Sequence, residues 1–326
     1  MNLWRAAAEL LRRGEAGALA TVAGTRGSTP VPAGTKMLVG ADGRLAGTVG
    51  GGCVEADVIA AAFEVRRIAG PLLVTHHLNA DLAGDLGLSC GGTVDILVEP
   101  LVPHPAYLAV LDAAASERGI VTTATAWPAG PDKTFAPLDA AARNVAGAEL
   151  SRDRARVIER LVPPPRVLVF GAGHVGAAIG RAAHAAGFRV TVVDDRPEFA
   201  DPARFPAEIA VWAAEPEAAV VRFGLAADDA VVIATRGHRQ DAEILARVAA
   251  APADYVGLLG SRRKKEVVTK GLAAVGVPAE ALARVRVPVG LDIGARTPEE
   301  IAVSVVAELI AWRRDAARGT GDGSIR

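Results

Sequence analysis

The chain has 326 residues, of which 51% are hydrophobic and 22% are charged, enough to bury more than one core, and this predicts two domains. Its formal net charge of −1 excludes a general attraction to nucleic acid or to anionic membranes, so we expect neither as a partner. Charges interrupt residues 1–13 before any apolar run reaches the length of a signal peptide or a membrane span. We therefore expect a cytoplasmic protein whose two cysteines are reduced thiols.

Hydrophobic periodicity and turn residues predict an α+β fold for the first half of the chain. Asp42-Gly43 separates two apolar runs and predicts a β-hairpin. After a turn at 127–132, the segment up to about residue 160 is rich in alanine and arginine, and we expect it to be helical in places. The predicted helices are 1–13, 54–69 and 106–117, and the predicted strands are 18–23, 35–39, 45–49, 71–78, 93–100 and 120–126.

Both cysteines stand beside consecutive glycines. Cys53 follows Gly50-Gly51-Gly52, and Cys90 precedes Gly91-Gly92. Glycine has no Cβ and allows a ligand or another backbone to come close. Cys53 is expected at or just before the start of a helix, where the helix dipole favours the reactive thiolate. The two loops are therefore interpreted as parts of one site.

Two other interpretations of the cysteines stay open. Both could be small buried apolar residues, as free cysteines commonly are. With His76 or His77 they could bind zinc, although their spacing matches none of the usual zinc-ligand patterns.

Three consecutive prolines, Pro163 to Pro165, form a short stiff spacer and mark a domain boundary. We place an N-terminal α+β domain at 1–162 and a C-terminal domain at 163–326. Strands of the C-terminal domain are predicted at 166–170, 188–193, 208–212, 230–235 and 255–259. Helical segments alternate with these strands, and that alternation predicts a Rossmann-like, doubly wound parallel α/β sheet.

A glycine-rich turn follows the first of these strands and opens a helix. It reads Gly171-Ala-Gly173-His174-Val-Gly176, and Asp194 follows about twenty residues later at the end of the second strand. This order is typical of a dinucleotide-binding unit, in which the glycines let a phosphate approach the helix and the carboxylate binds a ribose. The alternative is that the glycines serve only to pack the strand against the helix.

Further polar residues follow the later strands, at the sheet edge where ligands of such folds bind. Thr235 and His238 follow the fourth strand, and Ser261 and Arg262 follow the fifth. Ser261 is a good N-cap, and the cations at 262–265 would then fall in the first helical turn, which is unfavourable unless an anion is bound. The alternative is that these basic side chains simply extend into solvent.

Six short motifs carry a resemblance that covers nearly the whole chain. They are Gly27-Ser28-Thr29-Pro30, Gly50-Gly-Gly-Cys-Val-Glu55, Cys90-Gly-Gly92, Gly171-Ala-Gly-His-Val-Gly176, Tyr255-Val-Gly-Leu-Leu-Gly-Ser-Arg262 and Gly290-Leu-Asp-Ile-Gly-Ala-Arg-Thr-Pro298. With them the chain resembles the XdhC/CoxI family. The resemblance implies a chaperone that binds the molybdenum cofactor, protects it while its terminal sulfur is installed, and passes it to an apo molybdenum hydroxylase such as xanthine dehydrogenase. A cysteine desulfurase is a further implied partner, and we expect a homodimer.

Within this resemblance, Cys53 and Cys90 are expected to face the molybdenum, because thiolates are soft donors for a metal with sulfur ligands. Glu55 is expected to accept hydrogen bonds, and the C-terminal crevice is expected to take the phosphate end of molybdopterin or of its nucleotide form. The expected cofactor-binding residues are Gly50, Gly51, Gly52, Cys53, Glu55, Cys90, Gly171, Gly173, His174, Gly176, Asp194, Thr235, His238, Ser261 and Arg262.

Two functions of other classes stay open. The first is an NAD(P)-dependent oxidoreductase that uses Asp194 as the ribose ligand and His174 or His238 as an acid. The second is a regulatory protein in which a bound nucleotide changes only the affinity for a partner. Hydride transfer would identify the first, and calorimetry with NAD(P) and with the molybdenum cofactor would separate the second from the chaperone.

Overall fold

A computed structural model describes residues 3–78, 91–101, 105–115, 121–126, 133–137, 147–161, 164–249, 251–274 and 276–318. The chain divides into two compact units, Met1–Pro163 and Pro164–Arg326. Cys90 lies outside the described residues, as does the predicted turn at 127–132. Within the ranges given above, no helix is both long enough and apolar enough to cross a membrane.

The N-terminal unit is an α+β structure built on antiparallel strands. Its described helices are α1 (Leu3–Arg12), α2 (Gly52–Ile68) and α3 (Pro105–Ala115). Its described strands are β1 (Ala18–Arg26), β2 (Lys36–Gly40), β3 (Gly43–Gly47), β4 (Leu72–His77), β5 (Thr93–Pro100), β6 (Val121–Ala126), β7 (Lys133–Pro137), β8 (Gly147–Leu150) and β9 (Arg156–Leu161). The predicted hairpin at Asp42-Gly43 is confirmed as the antiparallel pair β2 and β3.

A five-stranded sheet in the order β3-β2-β1-β5-β4 forms the centre of this unit. Side chains of a strand alternate between the two faces of a sheet. In β1, Ala20 and Val22 pack with residues of α2, whereas Leu19 packs with residues of α1 and α3. Both faces are therefore covered by helices, which explains why residues 18–23 are buried without a break.

The segment from Lys133 to Leu161 corrects the sequence-based expectation of helix. Its described residues form β7, β8 and β9, and a second sheet has the order β7-β6-β9-β8. In β9 the side chains of Val157 and Glu159 are buried while Ile158 between them is exposed. Burial thus repeats every two residues, as in a half-buried strand. Cross-strand pairing, which spacing along the chain does not reveal, has overridden the helix-forming composition.

The C-terminal unit is a parallel α/β sheet with helices on both faces, and the predicted fold class is confirmed. Its strands are β10 (Arg166–Phe170), β11 (Arg189–Asp194), β12 (Ala210–Ala213), β13 (Ala230–Ile233), β14 (Tyr255–Leu258) and β15 (Val285–Arg286). Its helices are α4 (His174–Ala185), α5 (Pro216–Phe223), α6 (His238–Ala249), α7 (Arg262–Ala274), α8 (Ala279–Ala283) and α9 (Pro298–Arg318). The predictions from sequence omitted the short elements α8 and β15.

The strand order is β12-β11-β10-β13-β14-β15. The chain first builds outward from β10 to β12 and then returns to the other side of β10 with β13. This reversal is the topological switch point, where open α/β sheets bind ligands outside the carboxyl ends of their strands. One hydrophobic core lies between the sheet and the helices α4 and α9, and the other lies under α5, α6 and α7. A ligand site is therefore expected at the carboxyl ends of β10, β11 and β13.

Candidate functional site

The turn after β10 shows a separate role for each glycine of the predicted fingerprint. A Cβ at Gly171 would lie 2.3 Å from the carbonyl oxygen of Ala234, and a Cβ at Gly176 would lie 1.9 Å from the carbonyl oxygen of Gly171. Both glycines are thus required by close backbone packing. Gly173 differs, because a Cβ there would meet no heavy atom of the described residues within 4 Å. Its open side leaves room for a ligand at the start of α4.

Gly173 is the N-cap of α4, and no side chain caps this helix. The first N–H groups of a helix and the positive end of its dipole favour bound anions. His174 is the first residue of α4, and its side chain is exposed. The helix start therefore has the geometry that a phosphate needs, and the exposed side chain of His174 lies beside it.

A cleft of about 230 Å³ opens at the switch point. Its lining residues come from the carboxyl ends of β10, β11, β13 and β14 and from the helices that follow. They include Gly171, Gly173, His174, Asp194, Asp195, Arg196, Thr235, Arg236 and Leu259. Five of the residues predicted from the sequence, Gly171, Gly173, His174, Asp194 and Thr235, are thus brought together.

Asp194 is buried at the bottom of this cleft and is already fully engaged by the protein. The side chain of Arg196 donates to both carboxylate oxygens, at 2.9 and 3.1 Å, and the backbone N–H of Ala172 donates to Oδ2 at 2.7 Å. Burial alone would raise the pKa of Asp194, but these hydrogen bonds outweigh it and hold the pKa below its usual value. A ribose at this position would have to share these bonds, so Asp194 chiefly fixes the glycine turn.

The depressed pKa of Asp194 predicts a contribution to acid stability. A carboxylate with a lowered folded-state pKa stabilises the fold above its unfolded-state pKa, and this stabilisation is lost as the pH falls through the folded-state value. We expect Asp194→Asn to lower the free energy of unfolding at neutral pH by roughly 1.5–3 kcal/mol, as for hydrogen bonds to a charged group. Urea denaturation between neutral pH and about pH 3 should show a shallower acid-dependent loss in the variant. An unchanged pH dependence would contradict this role.

Thr235 and the basic segment that begins at Arg262 are connected through a buried carboxylate. Asp241 of α6 is 1% exposed; it accepts a hydrogen bond from Thr235 Oγ1 at 2.6 Å and pairs with Lys264 Nζ at 2.5 Å. Lys264 also donates to the carbonyl oxygen of Leu259 at 2.7 Å. Lys264 is therefore already paired with Asp241 and does not extend into solvent. At this residue the structure corrects both predictions from the sequence, the bound anion and the solvated side chain.

Ser261, Arg262 and His238 mark helix starts. Ser261 Oγ accepts a hydrogen bond from the backbone N–H of Lys264 at 3.3 Å, so its predicted N-cap role is confirmed. Arg262 is the first residue of α7, and His238 is the first residue of α6. Ser261 is not among the described residues that line the cleft, and the side chains of His238 and Arg262 lie outside the described part of the chain. Their proposed contacts with a cofactor stay predictions.

Glu308 holds two of the sequence motifs together in the C-terminal unit. Its Oε2 accepts hydrogen bonds from Tyr255 Oη at 2.9 Å and from the backbone N–H of Gly290 at 2.6 Å. Burial raises the pKa of Tyr255 well above its usual value, and the neighbouring negative charge of Glu308 adds to the effect. The motifs that contain Tyr255 and Gly290 are thus linked to α9 by partly buried hydrogen bonds to Glu308.

In the N-terminal unit, the three glycines before Cys53 form a turn that only glycine readily adopts. Gly50, Gly51 and Gly52 have φ angles of 129°, 78° and 58°, all in the region that side chains with a Cβ rarely occupy. A Cβ at Gly51 or Gly52 would meet no described heavy atom within 4 Å. Cys53 is the second residue of α2 and is exposed. The structure thus presents this thiol at a helix start beside open space, and burial as an apolar residue is excluded for it.

Glu55 supports this turn through hydrogen bonds that pass through Thr48. Its Oε1 accepts a hydrogen bond from Thr48 Oγ1 at 2.5 Å, and Thr48 Oγ1 accepts one from the backbone N–H of Gly50 at 3.3 Å. Arg44 Nε lies 4.0 Å from the other carboxylate oxygen of Glu55. These contacts make Glu55 a residue that positions the turn before Cys53.

The zinc alternative includes Cys90 and is therefore not tested by the described part of the chain. His76 Nδ1 lies 3.7 Å from Asp57 Oδ2, and His77 Nδ1 lies 3.3 Å from Thr93 Oγ1. No group of three or more histidine, cysteine, aspartate or glutamate side chains suitable for a metal ion occurs among the residues described. The predicted meeting of Cys53 with Cys90 stays a prediction, since Cys90 is outside these ranges.

Several charged residues in the cleft or beside it were not among the site residues predicted from the sequence. Arg196 follows Asp194 by two residues, and a sequence signal for it was available in the Asp-Asp-Arg run after a strand. Asp195, Arg236 and Asp241 gave weaker signals, since their contacts join β11, β13, α6 and α7 across the sheet. Such long-range pairs cannot be derived from spacing along the chain.

The strand order and the glycine turn define the C-terminal unit as a Rossmann fold, carried by a protein whose other unit presents a thiol on a glycine turn. Residues 167–309 match the model of the XdhC Rossmann domain, and residues 10–77 match that of the XdhC and CoxI family. The chain belongs to the XdhC and CoxI family, which confirms the resemblance seen in its motifs.

Three curated relatives align with nearly all of the chain. A probable xanthine dehydrogenase subunit from Bacillus subtilis (strain 168) is 31% identical over 94% of this chain and 96% of its own length. The molybdenum cofactor insertion chaperone PaoD of Escherichia coli (strain K12) is 26% identical over 96% of this chain and 88% of its own. The uncharacterized protein YqeB of Escherichia coli (strain K12) is 31% identical over 98% of this chain. This chain spans about half of YqeB, 48% of its length.

A solved structure has the same fold. The crystal structure of a xanthine dehydrogenase from Bacillus halodurans superposes with a TM-score of 0.78 and 26% sequence identity. The similarity covers 97% of this chain and 98% of that one. The fold is therefore shared over nearly the full length of both chains.

Proposed function

We propose that the protein is a molybdenum cofactor insertion chaperone for a hydroxylase of the xanthine dehydrogenase type. It would bind the cofactor as cargo, protect it while its terminal sulfur is installed, and deliver it to the apoenzyme. Membership of the XdhC and CoxI family and the similarity to the relative named as an insertion chaperone support this assignment. The observation that carries it is the exposed thiol of Cys53 beside the open glycine turn.

Cys53 has the chemistry that the cargo requires. A thiolate is a soft donor that suits a metal already bound by sulfur, and the start of a helix favours negative charge. The space above Gly51 and Gly52 is unobstructed by described residues, so a bulky cofactor can approach the sulfur. Glu55 keeps the turn in shape through Thr48. Cys90 is proposed as a second sulfur near the molybdenum.

The cleft of the C-terminal unit is proposed to bind a phosphate-bearing group. Its donors are the backbone N–H groups at the start of α4, which a ligand can approach over the open side of Gly173, and its lining includes two arginines, Arg196 and Arg236. The phosphate of molybdopterin or the pyrophosphate of its nucleotide form fits these donors. NAD(P) is a further candidate ligand, because the glycine turn and strand order are those of dinucleotide-binding folds.

Transfer of the cofactor to the apo hydroxylase tests this function. Protein isolated from cells that make the cofactor is mixed with a purified apo hydroxylase of the xanthine dehydrogenase type, and molybdenum in each protein is measured after separation. We expect molybdenum to move to the hydroxylase and its activity to appear. Failure of transfer together with nicotinamide oxidation or reduction by the protein would favour the oxidoreductase instead. We also propose that a cysteine desulfurase increases the activity that the hydroxylase reaches after transfer. The protein is further proposed to be a homodimer in solution.

A further inference from the structure

An ion pair crosses the cleft at the carboxyl end of the central strand. Asp195 directly follows β11, and Arg236 follows β13, while both strands pair with β10. Arg236 Nη2 donates to Asp195 Oδ2 at 3.3 Å. Since β10 lies between the two strands, this contact bridges the place where β10 leads into the glycine turn. A ligand phosphate at the start of α4 would therefore meet this ion pair.

The two arginines of the cleft differ in how firmly they are held. Arg196 forms two hydrogen bonds to the buried carboxylate of Asp194 and lies over the ring of Phe199, with 3.6 Å between the guanidinium carbon and the ring centroid. Arg236 is 58% exposed, and among the described residues its one hydrogen bond is to Asp195. An exposed ion pair of this kind contributes little net free energy. Arg236 can therefore change its partner at low cost, whereas Arg196 cannot.

Asp195 has a second cation nearby. Arg196 Nε lies 4.0 Å from Asp195 Oδ1, so Asp195 keeps a positive neighbour if Arg236 moves away. A guanidinium presents two parallel donors that match a phosphate. The negative charge of Asp195, by contrast, repels an incoming phosphate and competes with it for Arg236.

We propose that Arg236 exchanges Asp195 for a phosphate oxygen when a nucleotide diphosphate group enters the cleft. Arg236 is then the residue that recognises the phosphate, and Asp195 competes with the phosphate for Arg236. The exchange makes binding depend on ligand charge, so a nucleoside without phosphate gains nothing from Arg236. This inference rests on the proposed binding of a phosphate-bearing ligand by the C-terminal unit.

Calorimetry on the full-length protein tests the exchange with ADP, GDP and CDP, each compared with its nucleoside. We expect Arg236→Gln to weaken diphosphate binding roughly tenfold, because a charge-assisted contact is lost. Asp195→Asn should strengthen it by about threefold to tenfold, because a competitor and a repulsive charge are removed. Neither change should affect a nucleoside. Arg236→Lys keeps the charge without the paired donors and should fall between wild type and Arg236→Gln.

Arg239→Gln is the matched control. Arg239 is 94% exposed, pairs with Glu243 within α6, and is not part of the cleft lining, so its loss should leave the diphosphate affinity unchanged. The proposed exchange is contradicted if Asp195→Asn weakens diphosphate binding, or if the Arg236 and Asp195 variants bind diphosphates with the affinity of wild type. It is also contradicted if none of the three diphosphates binds. Bound molybdenum and pterin are measured separately. If wild type retains them in any of these cases, the proposed chaperone function stands and only the exchange fails.

Discussion

Replacement of Gly176 by alanine is expected to destabilise the C-terminal unit strongly. The added Cβ would lie 1.9 Å from the carbonyl oxygen and 2.8 Å from the carbonyl carbon of Gly171. Gly171 has little room to move, because its N–H donates to the carbonyl oxygen of Val193 and a Cβ built on it would lie only 2.3 Å from the carbonyl oxygen of Ala234. We expect a loss of at least about 3 kcal/mol in the free energy of unfolding. Hydrogen exchange should show lost protection in β10 to β14, with β1 to β5 still protected.

Gly173→Ala is the control for this experiment. Gly173 has a φ of −64°, which any residue adopts, and a Cβ there would meet no described atom within 4 Å. Its free energy of unfolding should stay within about 0.5 kcal/mol of wild type. Its diphosphate affinity should fall, because the methyl group occupies the space where the phosphate would lie. Equal stability of the two variants would contradict the tight turn described here.

Asp241→Ala is expected to have the second largest effect. Asp241 is 1% exposed and pairs with Lys264, whose side chain is 13% exposed. Removal of the carboxylate leaves a largely buried ammonium group without its counter-charge, which costs about 3–5 kcal/mol. Thr235 also loses the acceptor of its hydrogen bond. Urea denaturation of the full chain measures this loss.

Two further variants separate the ion pair from other effects. Glu243→Ala, on the same helix, removes an exposed carboxylate that pairs with Arg239, and we expect a cost of no more than about 0.5 kcal/mol. The double replacement Asp241→Leu with Lys264→Met removes both charges and should recover most of the stability lost in Asp241→Ala. If Asp241→Ala costs no more than Glu243→Ala, the pair does not stabilise the fold as described.

The Rossmann fold was predictable because its signals are local. A buried apolar strand, a glycine turn and a helix follow one another within about twenty residues in such units, and here they are β10, Gly171 to Gly176 and α4. Right-handed connections then restrict the possible strand orders. The position of Cys53 near the start of α2 was also predictable, since the glycines precede a segment of helical periodicity.

Other features depend on contacts between distant residues. β6 of the second sheet was predicted as a strand, but the segment that contains β8 and β9 was expected to be helical in places. These two strands are stabilised by pairing with each other and with β6, while the local composition favours helix. Asp194 was expected to face a ribose, yet Arg196 and the N–H of Ala172 occupy its oxygens. In both cases the sequence shows which residue types are present, but not the partner that each finds in the fold.

Cys53 is proposed to hold the molybdenum end of the cofactor, and the chaperone function depends on this contact. The most direct test is the amount of molybdenum and pterin bound to protein purified from cells that make the cofactor. We expect wild type to retain both, Cys53→Ser to lose most of both, and Ala60→Ser, a change at an exposed position of the same helix α2, to behave like wild type. Absence of cofactor from wild type, or full retention by Cys53→Ser, would contradict the account.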